Sequence, residues 1–102
     1  MIINATIQVV PLTKIDEAFP IIDKAILMIQ NSGLKYTVCA FETVIEGEYE
    51  PVQQLLRQVQ DFCYSQNETQ FLIYTKYHVC GGEHISADSK TSKFKAGPEF
   101  NL

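Results

Sequence analysis

The sequence predicts an α+β fold in the order β-α-β-β-α-β, and three observations predict it. Runs rich in β-branched residues stand at Ile2 to Val10 and at Gln70 to Cys80. Two apolar stripes of helical period lie between them. Two more strand-like runs, Leu34 to Phe41 and Thr43 to Tyr49, follow each other with almost nothing in between.

The first run reads as a strand because Ile, Val and Thr suit a pleated surface, and it stops at Pro11, which cannot extend a ladder. Alternation puts Ile3, Ala5, Ile7 and Val9 on one face, the better core candidate, and Asn4, Thr6, Gln8 and Val10 on the other. From Asp16 to Asn31 the period changes: Ile15, Phe19, Ile22, Ile26 and Ile29 are spaced 4, 3, 4 and 3, as on one side of an amphipathic helix. Asp16 and Glu17 suit its first turn. Pro20 implies that the regular helix begins near it or that an initial turn precedes it. Ser32-Gly33 ends the helix, with Gly33 free to take a left-handed conformation.

The next two strands form a β-hairpin turning around Phe41-Glu42. A second helix starts at Glu50-Pro51, with Pro51 in the first helical position. Val52, Leu55, Val59 and Phe62 form its buried stripe, which Leu56 and Cys63 widen. Asn67-Glu68 breaks it. In the fourth strand Phe71, Ile73, Thr75 and Tyr77 share one face, and Leu72, Tyr74, Lys76 and His78 the other. Ser86 is placed to cap a short helix over Ala87 to Phe94. With right-handed crossovers this order gives a ferredoxin-like βαββαβ sandwich, a four-stranded antiparallel sheet with two helices on one face and a short C-terminal helix. Residues 1–95 read as one domain and residues 96–102, beginning Ala96-Gly97-Pro98, as a loose tail. The sheet's second face, with Val10, Leu72 and Tyr74, has no cover within one chain, which implies a homo-oligomer.

Composition narrows the function. The 102 residues carry eight Lys+Arg against twelve Asp+Glu, a net charge of −4, with no basic stripe for nucleic acid. Cationic or neutral small ligands suit that balance better than anionic ones. Three cysteines, Cys39, Cys63 and Cys80, are spaced 24 and 17 apart without a CxxC, so neither a disulfide framework nor a zinc knuckle is indicated. The longest wholly apolar run, Ala25 to Ile29, has five residues against the roughly 20 of a membrane span. No signal peptide is visible at Met1-Ile2-Ile3-Asn4. A cytoplasmic protein with no membrane partner is expected.

Ser32-Gly33-Leu34-Lys35-Tyr36, followed by Thr43-Val44-Ile45-Glu46-Gly47-Glu48, resembles the signature of the YkoF-like thiamine-binding protein family. The similarity continues in Val9-Val10-Pro11-Leu12, in Gly81-Gly82 and in Ser89-Lys90-Thr91-Ser92-Lys93-Phe94, roughly residues 2 to 94. The resemblance implies a ferredoxin-like fold, homodimers or homotetramers, no catalysis and no cofactor. The ligand it implies is thiamine or its hydroxymethylpyrimidine moiety. One departure is Gln8, where many relatives carry a smaller polar residue; if that position lines the pocket, the pocket is smaller or differently wired.

Thr43 and Glu46 are the first candidates for ligand contact. An aminopyrimidine needs an acceptor and a donor at fixed geometry; a Thr hydroxyl supplies both, and a carboxylate accepts from the amino group or pairs with a protonated ring nitrogen. Strict alternation sets them on opposite faces, so both reach one ligand only through a bulge or a second subunit. Tyr36 and Phe41 are candidates for stacking on a flat heteroaromatic ring. Glu42, Glu46, Glu48 and Glu50 read as a solvated face that also draws a thiazolium cation. His78-x-Cys80-x3-His84 has metal-ligand residue types but no fourth ligand at a familiar spacing. Its plainer reading is a strand-surface histidine and a buried thiol, with no metal. Two other classes stay open: an oligomeric interaction or regulatory module binding a protein or another small effector, and a small hydrolase using His78 or His84.

Overall fold

The computed structural model describes residues 1–66, 69–94 and 97. The order is β1 (Ile2–Pro11), α1 (Ile15–Gln30), β2 (Lys35–Val38), β3 (Thr43–Glu48), α2 (Tyr49–Tyr64), β4 (Phe71–His78) and α3 (Ala87–Thr91). The four strands form one sheet in the order β2-β3-β1-β4, antiparallel throughout. This is the expected ferredoxin-like arrangement. The helix break expected at Asn67-Glu68 and, Gly97 apart, the expected tail 96–102 lie outside the described residues.

Register decides what each face carries. Ile3, Ala5 and Ile7 of β1 are buried, and across β3 they stand opposite Gly47, Ile45 and Thr43. This is the face that α1 and α2 cover, with a core built from those residues and from Ala25, Ile29, Val52, Leu55, Leu56 and Val59. At Gly47 a Cβ would stand 2.9 Å from Leu34 Cδ2, so the Leu34 side chain would have to shift to admit one. The other face carries Asn4, Thr6, Gln8 and Val10, opposite His78, Lys76, Tyr74 and Leu72 of β4.

Several boundaries differ from the sequence expectation. β2 has only four residues, because the chain leaves the ladder at Cys39 and turns through residues 39–42, closed by Cys39 N–H donating to Glu42 O at 3.0 Å. α1 runs unbroken through Pro20. The proline costs the helix one N–H, the one that would reach Asp16, on an exposed turn. α2 starts two residues before Pro51, which still falls among the first four helical residues, whose N–H groups lack helical partners in any case. Phe62 is half-buried, and so is Cys80, where a buried thiol was expected; the buried thiol is Cys63. α3 ends at Thr91 rather than Phe94.

Other junctions form as the residues suggest. Gly33 takes φ +80° after α1, and Ser32 Oγ donates to Ile29 O at 2.6 Å while accepting from Leu34 N–H at 3.1 Å. Ser86 Oγ accepts from Ser89 N–H at 3.1 Å, the N-cap of α3.

Ile45 is fully buried at the centre of the sheet, whereas Leu27 projects 53% exposed from α1. Ile45→Ala is expected to cost about 2–5 kcal/mol and Leu27→Ala about 0.5 kcal/mol or less, both read from urea unfolding midpoints.

Candidate functional site: a cavity beneath the 39–42 loop

The apolar stripe of α1 is longer than the sheet beneath it. Its small residues Ala18 and Ala25, with Ile29, are buried against the strands. Ile15 and Phe19 stay 70% and 56% exposed, and Ile22 and Ile26 are half-buried. Because β2 stops at Val38, no strand covers this flank. The side chains instead face a cavity of about 530 Å³, bounded by α1, the end of β1 and the 39–42 loop. That volume is within the range of small-molecule sites. The expected core stripe is thus partly a cavity wall.

Thr43 lies at the base of this cavity, 5% exposed, between Ile7 and Val38 in register. No described residue hydrogen-bonds its hydroxyl. Phe41, 81% exposed, and Phe19 flank the mouth. Gln8 borders the cavity, but alternation turns its side chain to the opposite face, where it stands across from Tyr74. Of the five sequence-predicted site residues, Thr43 and Phe41 therefore meet at one place, and Gln8 reaches it only with its backbone.

Glu46 and Tyr36 lie elsewhere. The β1–β3 register is continuous from Thr43 to Glu48 with no bulge, so Glu46 sits on the face opposite α1 and α2 while Thr43 faces those helices. There Glu46 Oε2 accepts from Ala87 N–H at 2.9 Å and from His84 Nε2 at 2.8 Å. An ionised carboxylate can only accept, so Nε2 is the donor. Lys35 Nζ stands 3.5 Å from Oε1 and pairs with Asp88 at 2.8 Å. Burial pushes the Glu46 carboxyl upward, but the Ala87 N–H, His84 and Lys35 together outweigh it and hold the group below the usual glutamate range. Asp88, more than Glu46, raises Lys35. Tyr36 stands opposite Ile45 on the helix face, 38% exposed, and lines no described cavity.

The four-carboxylate run is dispersed rather than pooled. Glu42 pairs with Lys76 at 3.1 Å, Glu48 with the Met1 ammonium at 2.8 Å, and Glu50 is exposed on α2. Of the proposed metal-type residues, His84 is engaged with Glu46, and no group of three potential ligands gathers among the described residues. No helix of the described residues is long and apolar enough to cross a membrane. Sequence reasoning missed Ile15, Phe19, Ile22 and Ile26 as cavity residues. The sequence held no signal for this, because the strand expected over Leu34 to Phe41 is long enough to cover the stripe, and its early end at Val38 shows only in the structure.

A family model described as "Thiamine-binding protein" matches residues 5–95. A UPF0045 protein of Clostridium perfringens is 23% identical over 92 residues, covering 90% of this chain and 96% of its own. A Bacillus cereus domain of unknown function, DUF77, superposes with a TM-score of 0.82 at 27% identity, covering 93% of this chain and 91% of its own. A candidate thiamine biosynthesis/salvage protein of Thermotoga maritima gives 0.83 at 25% identity, covering 93% and 100%.

The depressed Glu46 carboxyl makes a pH prediction. Its stabilisation is complete above the unfolded glutamate value and is lost as pH falls through the lower folded value. Glu46→Gln is expected to destabilise the protein at pH 7, and the gap between wild type and variant should narrow below about pH 4. Urea unfolding at a series of pH values reads this; a gap independent of pH would contradict it.

Proposed function

The chain belongs to the thiamine-binding protein family, and from that premise we propose that it is a non-enzymatic cytosolic binding protein for thiamine or its hydroxymethylpyrimidine moiety. The proposed ligand site is the cavity beneath the 39–42 loop. The observation that carries this is the Thr43 hydroxyl, without a hydrogen-bond partner among the described residues, at the base of a largely apolar cavity lined also by two phenyl rings.

The chemistry fits that ligand class. An aminopyrimidine ring is flat and largely apolar over its faces, with donors and acceptors only at its edge. Ile15, Phe19, Ile22 and Ile26 offer it an apolar wall. Thr43 offers one group that both donates and accepts. Phe41 and Phe19 stack on the ring or meet a thiazolium cation through their π faces. In this reading Thr43, Phe41 and the backbone at Gln8 contact ligand. Glu46 anchors the C-terminal segment and Tyr36 packs on the sheet. The Thermotoga relative's description as a candidate thiamine biosynthesis/salvage protein supports a role in vitamin handling or sensing. The free cysteines Cys39, Cys63 and Cys80 are in keeping with a reducing compartment.

We also propose that the protein acts as a homo-oligomer, dimer or tetramer. Leu72 and Tyr74 are 46% and 53% exposed beside Val10 and Gln8 on the face opposite α1 and α2. An apolar patch of this kind favours burial against a second copy. The same patch supports the alternative reading, an interaction module for a protein partner.

Isothermal titration with thiamine and, separately, with hydroxymethylpyrimidine is the deciding experiment. Micromolar binding near one site per chain is expected, and Thr43→Val should weaken it about tenfold, as the loss of one hydrogen bond does. At 100 times Kd, thiamine should add about 2.7 kcal/mol to unfolding stability. Silence with both compounds at millimolar concentration would overturn the vitamin reading and leave the interaction module.

A further inference from the structure

The cavity beneath the 39–42 loop carries charge of one sign. Glu42 lines it, and among the described residues around it there is no Lys, Arg or His. A second carboxylate stands beside that lining: Glu17 accepts from the hydroxyl of Thr13, a lining residue, at 2.7 Å. Lys76 holds Glu42 at 3.1 Å, but the lysine side chain is 73% exposed against 25% for the glutamate, and it borders the cleft on the other face of the sheet. Water screens the more exposed partner more strongly, so the field of the carboxylate dominates within the cavity.

The start of α1 opens on the same space, since Ile15, its first residue, belongs to the wall. A helix N-terminus left free attracts anions. Here Asp16 and Glu17 already occupy the first turn and meet that partial charge. The Glu17 and Ala18 N–H groups are taken as well, both donating to Lys14 O, at 3.0 and 2.9 Å.

On the reading of this cavity as the vitamin site, we infer that it takes its ligand only in the unphosphorylated form: it admits thiamine and the free pyrimidine alcohol and turns away their phosphate esters, with Glu42 setting the preference. Charge decides this rather than room. At about 530 Å³ the cavity has the size of sites for drug-sized molecules, so a phosphate is not refused by volume. Phosphorylation adds about −1.5 to −2 charge, which turns the thiamine cation into an anion. Phosphate sites supply Lys, Arg or free backbone N–H groups, whereas the wall here is Ile15, Phe19, Ile22 and Ile26. An anion against that wall loses water without gaining a counter-charge, and it meets Glu42 with like sign. A thiazolium cation gains from the same carboxylate, and a neutral pyrimidine is indifferent to it.

Isothermal titration of the full chain with thiamine, thiamine monophosphate, hydroxymethylpyrimidine and hydroxymethylpyrimidine phosphate tests this. Each ester is expected to bind at least about tenfold more weakly than its parent alcohol, on the scale of like-charge opposition at a contact. Glu42→Gln should weaken thiamine by up to about fivefold, as for one partly exposed charge contact. The same variant should tighten thiamine monophosphate and leave hydroxymethylpyrimidine unchanged; freeing Lys76 acts in the same direction. A variant that only loosened the loop would weaken every ligand together. Asp61→Asn removes an equal charge from an exposed position on α2, outside the cavity lining, and should change none of the four. Esters that bind as well as their parents, or Glu42→Gln shifting thiamine and its monophosphate the same way, would overturn the selectivity and leave the vitamin reading standing. Silence from all four compounds would remove that reading and the selectivity with it.

Discussion

The Glu46 carboxylate is buried on the side of the sheet that has no helical layer, and an ion in that position is tolerated only when donors surround it. The donors it finds are the Ala87 N–H, His84 and Lys35. Two of the three come from the segment after β4, so satisfying one charge obliges residues 84–88 to lie across the strands. Asn4 makes a second tie to the same segment through Ile85 O. Much else on this face follows. The end of the sheet around Asn4 and Thr6 gains a roof in α3, and a cleft forms under it. The end around Val10, Leu72 and Tyr74 stays bare. Removing the His84 or Lys35 side chain would leave a buried charge under-compensated, which is why this small network weighs more than the exposed pairs elsewhere.

The helix-covered face is organised by a mismatch of lengths. α1 has 16 residues and β2 has four. Alanines at positions 18 and 25 let α1 sit close to the strands, and the bulkier residues on its flank then overhang a region where the sheet has already ended. An overhang of this kind fills with solvent, with loop or with ligand. The 39–42 loop reaches toward it with Phe41 but does not close it. The unpartnered Thr43 hydroxyl sits where β3 begins, at the position a ligand entering beneath the loop would meet.

These features explain what was legible in the residues alone. Strand faces were legible because a two-residue period leaves little freedom: Ile3, Ala5 and Ile7 had to face the core together, and Thr43 and Glu46 had to point apart. Gly33 and Ser86 were legible because their local chemistry is self-contained. The α1 stripe misled because periodicity shows which residues share a side of a helix, not whether anything lies opposite them; Ile15 and Phe19 obey the period and remain largely exposed. Glu46 was legible as unusual but not as an anchor. Its partners His84 and Ala87 are some 40 residues away in sequence, at |i−j| of 38 and 41, and no local pattern joins them.

The two faces of the sheet thus carry cavities of different lining. The cavity beneath the 39–42 loop has no Lys, Arg or His among its lining residues, whereas the cleft under α3 has Lys76, His78 and Lys90 and no carboxylate. A cation or neutral ring suits the first, whereas the surface of the second is almost wholly apolar. They do share one contact, since Glu42 borders the first cavity and its carboxylate holds Lys76, which lines the second. Any influence of one cavity on the other through this pair must be reciprocal. It must also be small: the lysine is 73% exposed, and a screened pair of this type is worth about 1 kcal/mol or less, at most a fivefold change in affinity. The architecture therefore keeps the two cavities nearly independent of each other.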